Sequence, residues 1–331
     1  MIILGINVSH GASASLMIDG EIILAFQEER FNKIKNFVGY PKISIDECIK
    51  FIKKKRLVID HAAFSTIKSP IFVYKYPLEN LFSIEDWHNY YSTNFFSPQK
   101  KINSVIKRVK FINKTRSKKI DQYLNYSKVK KKNYFGNYKI FRDLQKKTLE
   151  KQSKGIIKKI SFIDHHTCHA HYAAYAPNIR ELKSAILTID SEGDGSNQTF
   201  WIFNKKKNTL KKINQSSECE LARIYRFITL ILKMKPNEHE YKVMGLAPYA
   251  KDEYSLKVYN DVFKNILKVK NCKILNNNRP KNLFGFLYNK TKKYRFDNIA
   301  GAVQILVETI STELIKQISR IMTYKKKKVE K

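Results

Sequence analysis

Residues 2–27 constrain the fold more than any other stretch of the chain. IILGINV, residues 2–8, is an apolar run of strand length. After a turn of small residues, SHGAS, two more such runs, SLMID and EIILAFQEE, flank the pair Asp19-Gly20. Asp-Gly between two apolar runs is a strong hairpin signal, because the favoured two-residue turn needs positive φ at both central residues. The chain is therefore expected to open as a three-strand meander. ISIDECIKFIKKK at 43–55 has helical spacing, and LVIDHAAFS at 57–65 reads as another strand. The resulting β-β-β-α-β order belongs to the α/β class.

Regular alternation returns near residue 159. KISFI at 159–163 is an expected strand, Asp164 is placed to cap a following helix, and Pro177 to end it. SAILTID at 184–190 and NQTFWIF at 197–203 are expected strands around a loop, SEGDGS. Ser217 is placed to cap the helix ECELARIYRFITLIL, and NEHEYKVMGLAPYAK at 237–251 starts another helix or turn. Residues 298–322 form a long amphipathic pattern with small residues at its start. Between these regions, 68–158 is rich in Lys, Tyr, Phe and Asn with weak periodicity. SIEDWHNYYSTNFF and the basic stretch 101–132 have a helical look, so a helical insertion or cap is expected, with a poorly ordered surface insertion as the equal alternative. Its aromatics Trp87, Tyr90, Tyr91, Phe95 and Phe96 suit either a small core or a stacking wall.

Composition narrows the setting. At 331 residues and 43% hydrophobic content, the chain can bury a core of one large domain or two lobes. MIILGINVSHGAS lacks the basic start of a signal peptide, and no apolar run reaches membrane-spanning length. Cys48, Cys168, Cys219 and Cys272 are scattered with no C-x-x-C pair, which fits reduced thiols and a cytoplasmic setting. The net charge of +34 invites a nucleic-acid reading, yet only 11 of the 63 basic residues are Arg. Arg is the side chain whose planar fork grips phosphates and bases bidentately. Lys-rich composition beside abundant Ile, Asn, Tyr and Phe points to coding bias, so a nucleic-acid partner is not expected.

Four of the eight histidines crowd into DHHTCHAHYAAY at 164–175. On a helix, His165 and His169 stand at i and i+4 and share one face, a spacing that lets two imidazoles hold one metal ion. His166 with His169 is the i, i+3 alternative, and a packed cluster without metal is the bland one. Asp190 closes an apolar strand nearby in sequence and is a candidate third ligand. Gly193 and Gly195, in the loop after it, would let backbone N–H groups approach a phosphate. The loop is neither a Walker A nor a dinucleotide fingerprint, because no Gly-Lys-Ser/Thr follows and it leads into a strand. The turn Asn7–Ser13 is a further phosphate-facing candidate, and local residues alone leave a purely structural turn equally open.

Taken in order, these pieces resemble the NodU/CmcH family of carbamoyltransferases. The resemblance runs through residues 3–35, DHHTCHAHYAAY, LTIDSEGDGS at 187–196, EYKVMGLAPYAK at 240–251 and IAGAVQILVE at 299–308. It implies an actin-like ATPase (ribonuclease H-like) fold of the Kae1/TsaD branch. It also implies chemistry: a YrdC-like domain makes carbamoyl-adenylate from carbamoyl phosphate and ATP, and the Kae1-like domain moves the carbamoyl group to a hydroxyl acceptor. Carried over, His165, His169 and Asp190 would hold a divalent metal, iron(II) or alternatively zinc or manganese. His10 would serve the reacting group, and Lys35 and Lys242 the phosphates. The family reads H-D-A-S where this chain has His10-Gly11-Ala12-Ser13, so an acidic side chain is missing from the first turn. In the family, a glycine-rich strand and loop, a further acidic ligand and the YrdC-like domain follow the helix matching 298–322. The second lobe is thus expected to be incomplete, with a separate partner chain as one way of supplying the rest. The chain alone is expected to be inactive in transfer, and the apolar face of its last helix to be exposed. A tRNA threonylcarbamoyl transferase of the Kae1/TsaD type is the runner-up reading. A non-enzymatic anion or nucleic-acid binder is the third.

Overall fold

The structure is a computed structural model, and it describes residues 1–68, 82–93, 138–177 and 181–327. The chain divides into two compact units, Met1–Phe82 with Ile106–Cys168, and Ser83–Val105 with His169–Lys331.

The first unit is built on β1 (Ile2–Asn7), β2 (Ser13–Ile18) and β3 (Glu21–Gln27), paired antiparallel as the expected meander. Asp19 and Gly20 make the turn with φ of 50° and 93°. A short helix, α1 (Glu29–Asn32), precedes α2 (Lys42–Lys54), and β4 (Ile59–Phe64) then joins β1 in parallel. Within the 68–158 stretch two helices are described, α3 (Ile84–Thr93) and α4 (Tyr138–Ser153). Phe95, Phe96 and the basic stretch 101–132 lie outside the described residues. Helix α4 leads into β5 (Ile157–Phe162), which pairs in parallel with β4 and completes the order β3-β2-β1-β4-β5. The core follows from strand alternation. Leu4 and Ile6 of β1 and Ala62 and Phe64 of β4 are buried with Ile45, Ile49 and Ile52 of α2 and Phe141 and Leu149 of α4.

One buried carboxylate fixes the start of α2. Glu28 is fully buried and accepts hydrogen bonds from the Ile43 amide (3.0 Å), the Ser44 amide (2.8 Å) and the Ser44 hydroxyl (2.7 Å). These amides are the orphan donors of the helix N-terminus, and a carboxylate there also meets the favourable end of the helix dipole.

The second unit holds β6 (Lys183–Gly193), β7 (Ser196–Asn204) and β8 (Thr209–Ser216) in one antiparallel sheet. Strand β8 was not anticipated, and it displaces the expected helix start. Helix α6 (Leu221–Ile231) has Glu220 at its N-cap with no side-chain cap bond. Ser217 therefore does not cap it, while the neighbouring Ser216 gives its hydroxyl to the Ile274 carbonyl. The helices α7 (Glu240–Leu246) and α8 (Asp252–Val258) follow, then the hairpin β9 (Leu267–Lys270) and β10 (Lys273–Asn276), helix α9 (Leu283–Thr291) and the long α10 (Phe296–Lys327). Helix α3 packs in this unit: Trp87 is buried and stacks on Tyr91, which meets Phe227 and Phe284. Trp87 is thus core, and the partly buried Tyr91 packs beside it.

The apolar row of α10 departs from the expected exposed face. Ile299, Val303, Leu306, Ile310, Leu314 and Ile318 are all buried. The small residues at its start let α8 come close. A Cβ on Gly301 would lie 2.1 Å from Ser255 Oγ and 2.9 Å from Ser255 Cβ. Gly301→Ala is therefore expected to destabilise the protein by about 1–3 kcal/mol, the usual cost of overpacking, despite the better helix propensity of Ala. Chemical denaturation of the two proteins checks this, and an equal or higher midpoint would contradict it.

Candidate metal centre

The helix that carries the histidines, α5 (His165–Tyr175), is set from its first residue. Asp164 Oδ1 accepts from the Thr167 amide and the Thr167 hydroxyl, both at 2.9 Å, which is the expected N-cap. The helix ends at Tyr175, two residues before Pro177. Ala170 and Ala174, one turn apart, pack with Ile186 of β6 and Trp201 and Phe203 of β7. Small side chains on that stripe allow the helix to lie close to the sheet.

Strand β6 then brings the carboxylate alongside. Ile186 and Thr188 share one face of β6, and Ile186 packs with the alanine stripe. Thr188 is buried and shares a 2.6 Å hydrogen bond with Thr199, its partner on β7. Asp190 comes next. One ligand atom from each of His165, His169 and Asp190 lies within 4.8 Å of the others. His169 Nε2 is 3.6 Å from Asp190 Oδ2, with the two side chains 53% and 36% exposed, so an ion in solution can reach them. Two imidazole nitrogens and one carboxylate oxygen at this separation fit a divalent transition metal with further positions left for water or substrate. His166 does not share this face. It is fully buried with its ring edge-on to His165 at 5.4 Å. His171 is exposed and stacks on Tyr175.

The loop expected at 191–196 is largely strand. Asp194 and Gly195, with φ of 53° and 91°, make a tight hairpin turn between Gly193 and Ser196. Gly193 is buried and paired, and Gly195 is exposed at the tip. Between the pairs Ile189–Gln198 and Gly193–Ser196, Asp190, Ser191 and Glu192 stand opposite Asn197 alone. The candidate ligand therefore sits in a β-bulge, a device that re-aims side chains next to functional sites. No sequence signal marked it.

The remaining candidates lie on separate elements. His10 is exposed in the turn after β1, where it bridges to Val38. That turn is organised by Asn7, whose Nδ2 donates to the His10 carbonyl (3.1 Å) and the Gly11 carbonyl (3.2 Å), and whose Oδ1 accepts from Ser9. Lys35 is exposed in the first unit, and Lys242 is exposed on α7 with its ammonium 5.9 Å from the Tyr241 ring centre. The cysteines are free, and burial pushes the Cys48 and Cys219 thiols up to about 12, which leaves neither as a nucleophile near neutral pH. Among the described residues no helix is long and apolar enough to cross a membrane.

The geometry defines the class first: an α/β protein with a two-histidine, one-carboxylate cluster on a helix and the neighbouring strand. A family model for the carbamoyltransferase N-terminus matches residues 2–330, and the chain belongs to that family. It is 27% identical over 275 residues to an uncharacterised protein of Methanocaldococcus jannaschii, a match covering 81% of this chain and 38% of the relative. It is also 26% identical over 253 residues to an uncharacterised Synechocystis protein (76% and 35%). Against the nodulation protein NolNO of Sinorhizobium fredii it is 25% identical over 240 residues, covering 72% of this chain and 28% of the relative. The chain thus spans less than two fifths of the length of these relatives.

Because Asp164 accepts from both the Thr167 amide and its hydroxyl, Asp164→Ala is expected to cost about 1 kcal/mol in stability. Asp164→Asn should recover most of it. Thermal unfolding of the three proteins checks the order, and no loss in the alanine variant would contradict the cap.

Proposed function

We propose that this chain is the metal-holding, amino-terminal part of an O-carbamoyltransferase that moves a carbamoyl group from carbamoyl-adenylate to a hydroxyl of a sugar or natural-product acceptor. The observation that carries the reading is the joint one. The ligand atoms of His165, His169 and Asp190 gather within 4.8 Å, in a chain that matches the carbamoyltransferase N-terminus over residues 2–330. The mixed sheet opened by a β-β-β-α-β run supports the actin-like, Kae1-like fold that the resemblance implies.

In the proposed reaction the acceptor oxygen bonds to the carbamoyl carbon, the bond from that carbon to the adenylate phosphate oxygen breaks, and AMP leaves. The hydroxyl proton passes to a base. A bound divalent ion would hold the nucleotide phosphate and polarise the carbamoyl carbonyl. The chain's own residues do the rest of the work assigned to it. His165 and His169 would hold the ion through neutral nitrogens, and Asp190 would add the single negative charge that leaves the site net cationic toward phosphate. Lys35 and Lys242 are assigned to phosphate contact, and the hairpin of Gly193 and Gly195 to backbone contact with it through its exposed tip at Gly195. His10 is assigned to the reacting group. With Gly11 in place of an acidic residue, proton removal falls to His10 or to a group beyond the span matched here. The remainder of the second lobe and the YrdC-like domain are proposed to come from outside that span.

Metal content and nucleotide binding of the purified chain test the reading beside a His165→Ala/His169→Ala double variant. Bound metal is expected in the wild type, with affinity in the variant lower by more than about 100-fold, the upper end of what losing a ligand's hydrogen-bond partner costs. Equal metal binding in both proteins would sink the assignment.

A further inference from the structure

We infer that Arg226 and Arg223 are positioning residues for the metal centre: they lock the β-bulge that aims Asp190. This rests on the metal reading of the cluster. The bulge puts Asp190, Ser191 and Glu192 opposite Asn197 alone, so the backbone there loses its regular ladder partners. Those groups must be satisfied some other way. Ser191, the residue immediately after the ligand, is held from several sides. Arg226 Nη2 donates to its hydroxyl at 3.1 Å. Asn197 Nδ2 donates to its carbonyl at 2.8 Å, and Arg223 Nη2 to the same oxygen at 3.5 Å. Arg223 Nη2 also reaches Glu192 Oε2 at 3.2 Å.

The two arginines stand at i and i+3 on α6, so one helix face presents both to the bulge. Arg223 is itself anchored. Its Nη1 donates at 3.1 Å to Glu220 Oε1, which also takes the Arg279 guanidinium at 3.3 Å. Glu220 is buried, so this anchor is shielded from water. The arrangement spans a rigid helix to a segment that has no ladder of its own. Loosening it frees Ser191, and with it the direction of the Asp190 carboxylate toward His169. A lysine at 226 keeps the charge and can reach one acceptor, but it lacks the planar fork.

Cobalt(II) titration of the full chain, followed by visible absorption, reads the geometry at the metal. Amide exchange over residues 189–196 in the metal-free chain reads the bulge itself. Arg226→Met is expected to weaken cobalt affinity about 10-fold or more and to alter the band shape, with exchange across 189–196 accelerated. Arg226→Lys should restore part of both. Ser191→Ala, which removes the acceptor without touching α6, should shift both measurements in the same direction and guards against a folding defect in the helix variant. Wild-type affinity and wild-type exchange in Arg226→Met and Ser191→Ala would overturn the inference. A wild-type chain that takes no cobalt would overturn the metal reading instead, and the exchange measurement would then decide the arginines' role on its own.

Discussion

The candidate centre depends on the packing of one alanine stripe. Ala170 and Ala174 lie one turn apart on α5 and meet Ile186, Trp201 and Phe203 of the β6–β7 pair. A larger side chain at either position would lift the helix from the sheet. Metal–ligand bonds tolerate only a few tenths of an ångström, so the distance between the helix and Asp190 has little room to grow. The stripe thus sets how closely the His165–His169 face can approach Asp190. The Asp164 cap sets where the helix begins, and the heptad-like burial of α10 lies far along the chain from both. One cap and two alanines thus place the helix against the sheet, and the bulge after Ile189 places the carboxylate.

Division of labour among the four clustered histidines follows from the same helix. His165 and His169 share a face, and His169 remains half exposed. His166, one residue on, turns into the interior and is fully buried against the His165 ring. His171 turns outward and stacks on Tyr175, whose own ring meets Phe203 edge-on. A helix of period 3.6 cannot present four residues within seven positions to one point. Only the i, i+4 pair converges, and the others brace the rings and the helix end.

How much of this the sequence reveals can be read from two Asp-Gly pairs. Asp19-Gly20 stands between two uninterrupted apolar runs, so the hairpin is plain. Asp194-Gly195 makes the same left-handed turn, with φ of 53° and 91°, but polar Asp190, Ser191 and Glu192 precede it. They break the alternation that marks a strand, and the segment reads as a loop. A bulge has no residue signature, because it is defined by the partner strand and not by its own composition. Strand β8 is hidden for a similar reason: TLKKINQS is polar at most positions, and it is a strand only because β7 lies beside it. The expected exposure of the last helix failed on the opposite ground. An amphipathic pattern says which face is apolar, and it does not say that α8 and the elements around it already cover that face. The grouping of His165, His169 and Asp190 was legible because helix spacing and nearness along the chain are local properties; the arginines that face Ser191 were not, because they lie more than thirty residues further along the chain.

Arginine usage itself supports a specific role for those side chains. With 11 Arg among 63 basic residues, a basic position in this chain is filled by Lys unless something favours the guanidinium. Arg223, Arg226 and Arg279 nonetheless all reach Ser191, Glu192 or Glu220. Arg223 makes the fullest use of the fork. Arg223 reaches Glu220 with one terminal nitrogen and Ser191 and Glu192 with the other, which a single ammonium at the end of a flexible stem cannot do in one fixed orientation. The cluster is also only partly exposed, and a guanidinium loses less hydration than an ammonium when it is drawn toward a buried carboxylate such as Glu220. Coding bias accounts for the lysines that cover the surface. It does not account for three arginines that reach the strand holding Asp190 and the buried carboxylate beside it.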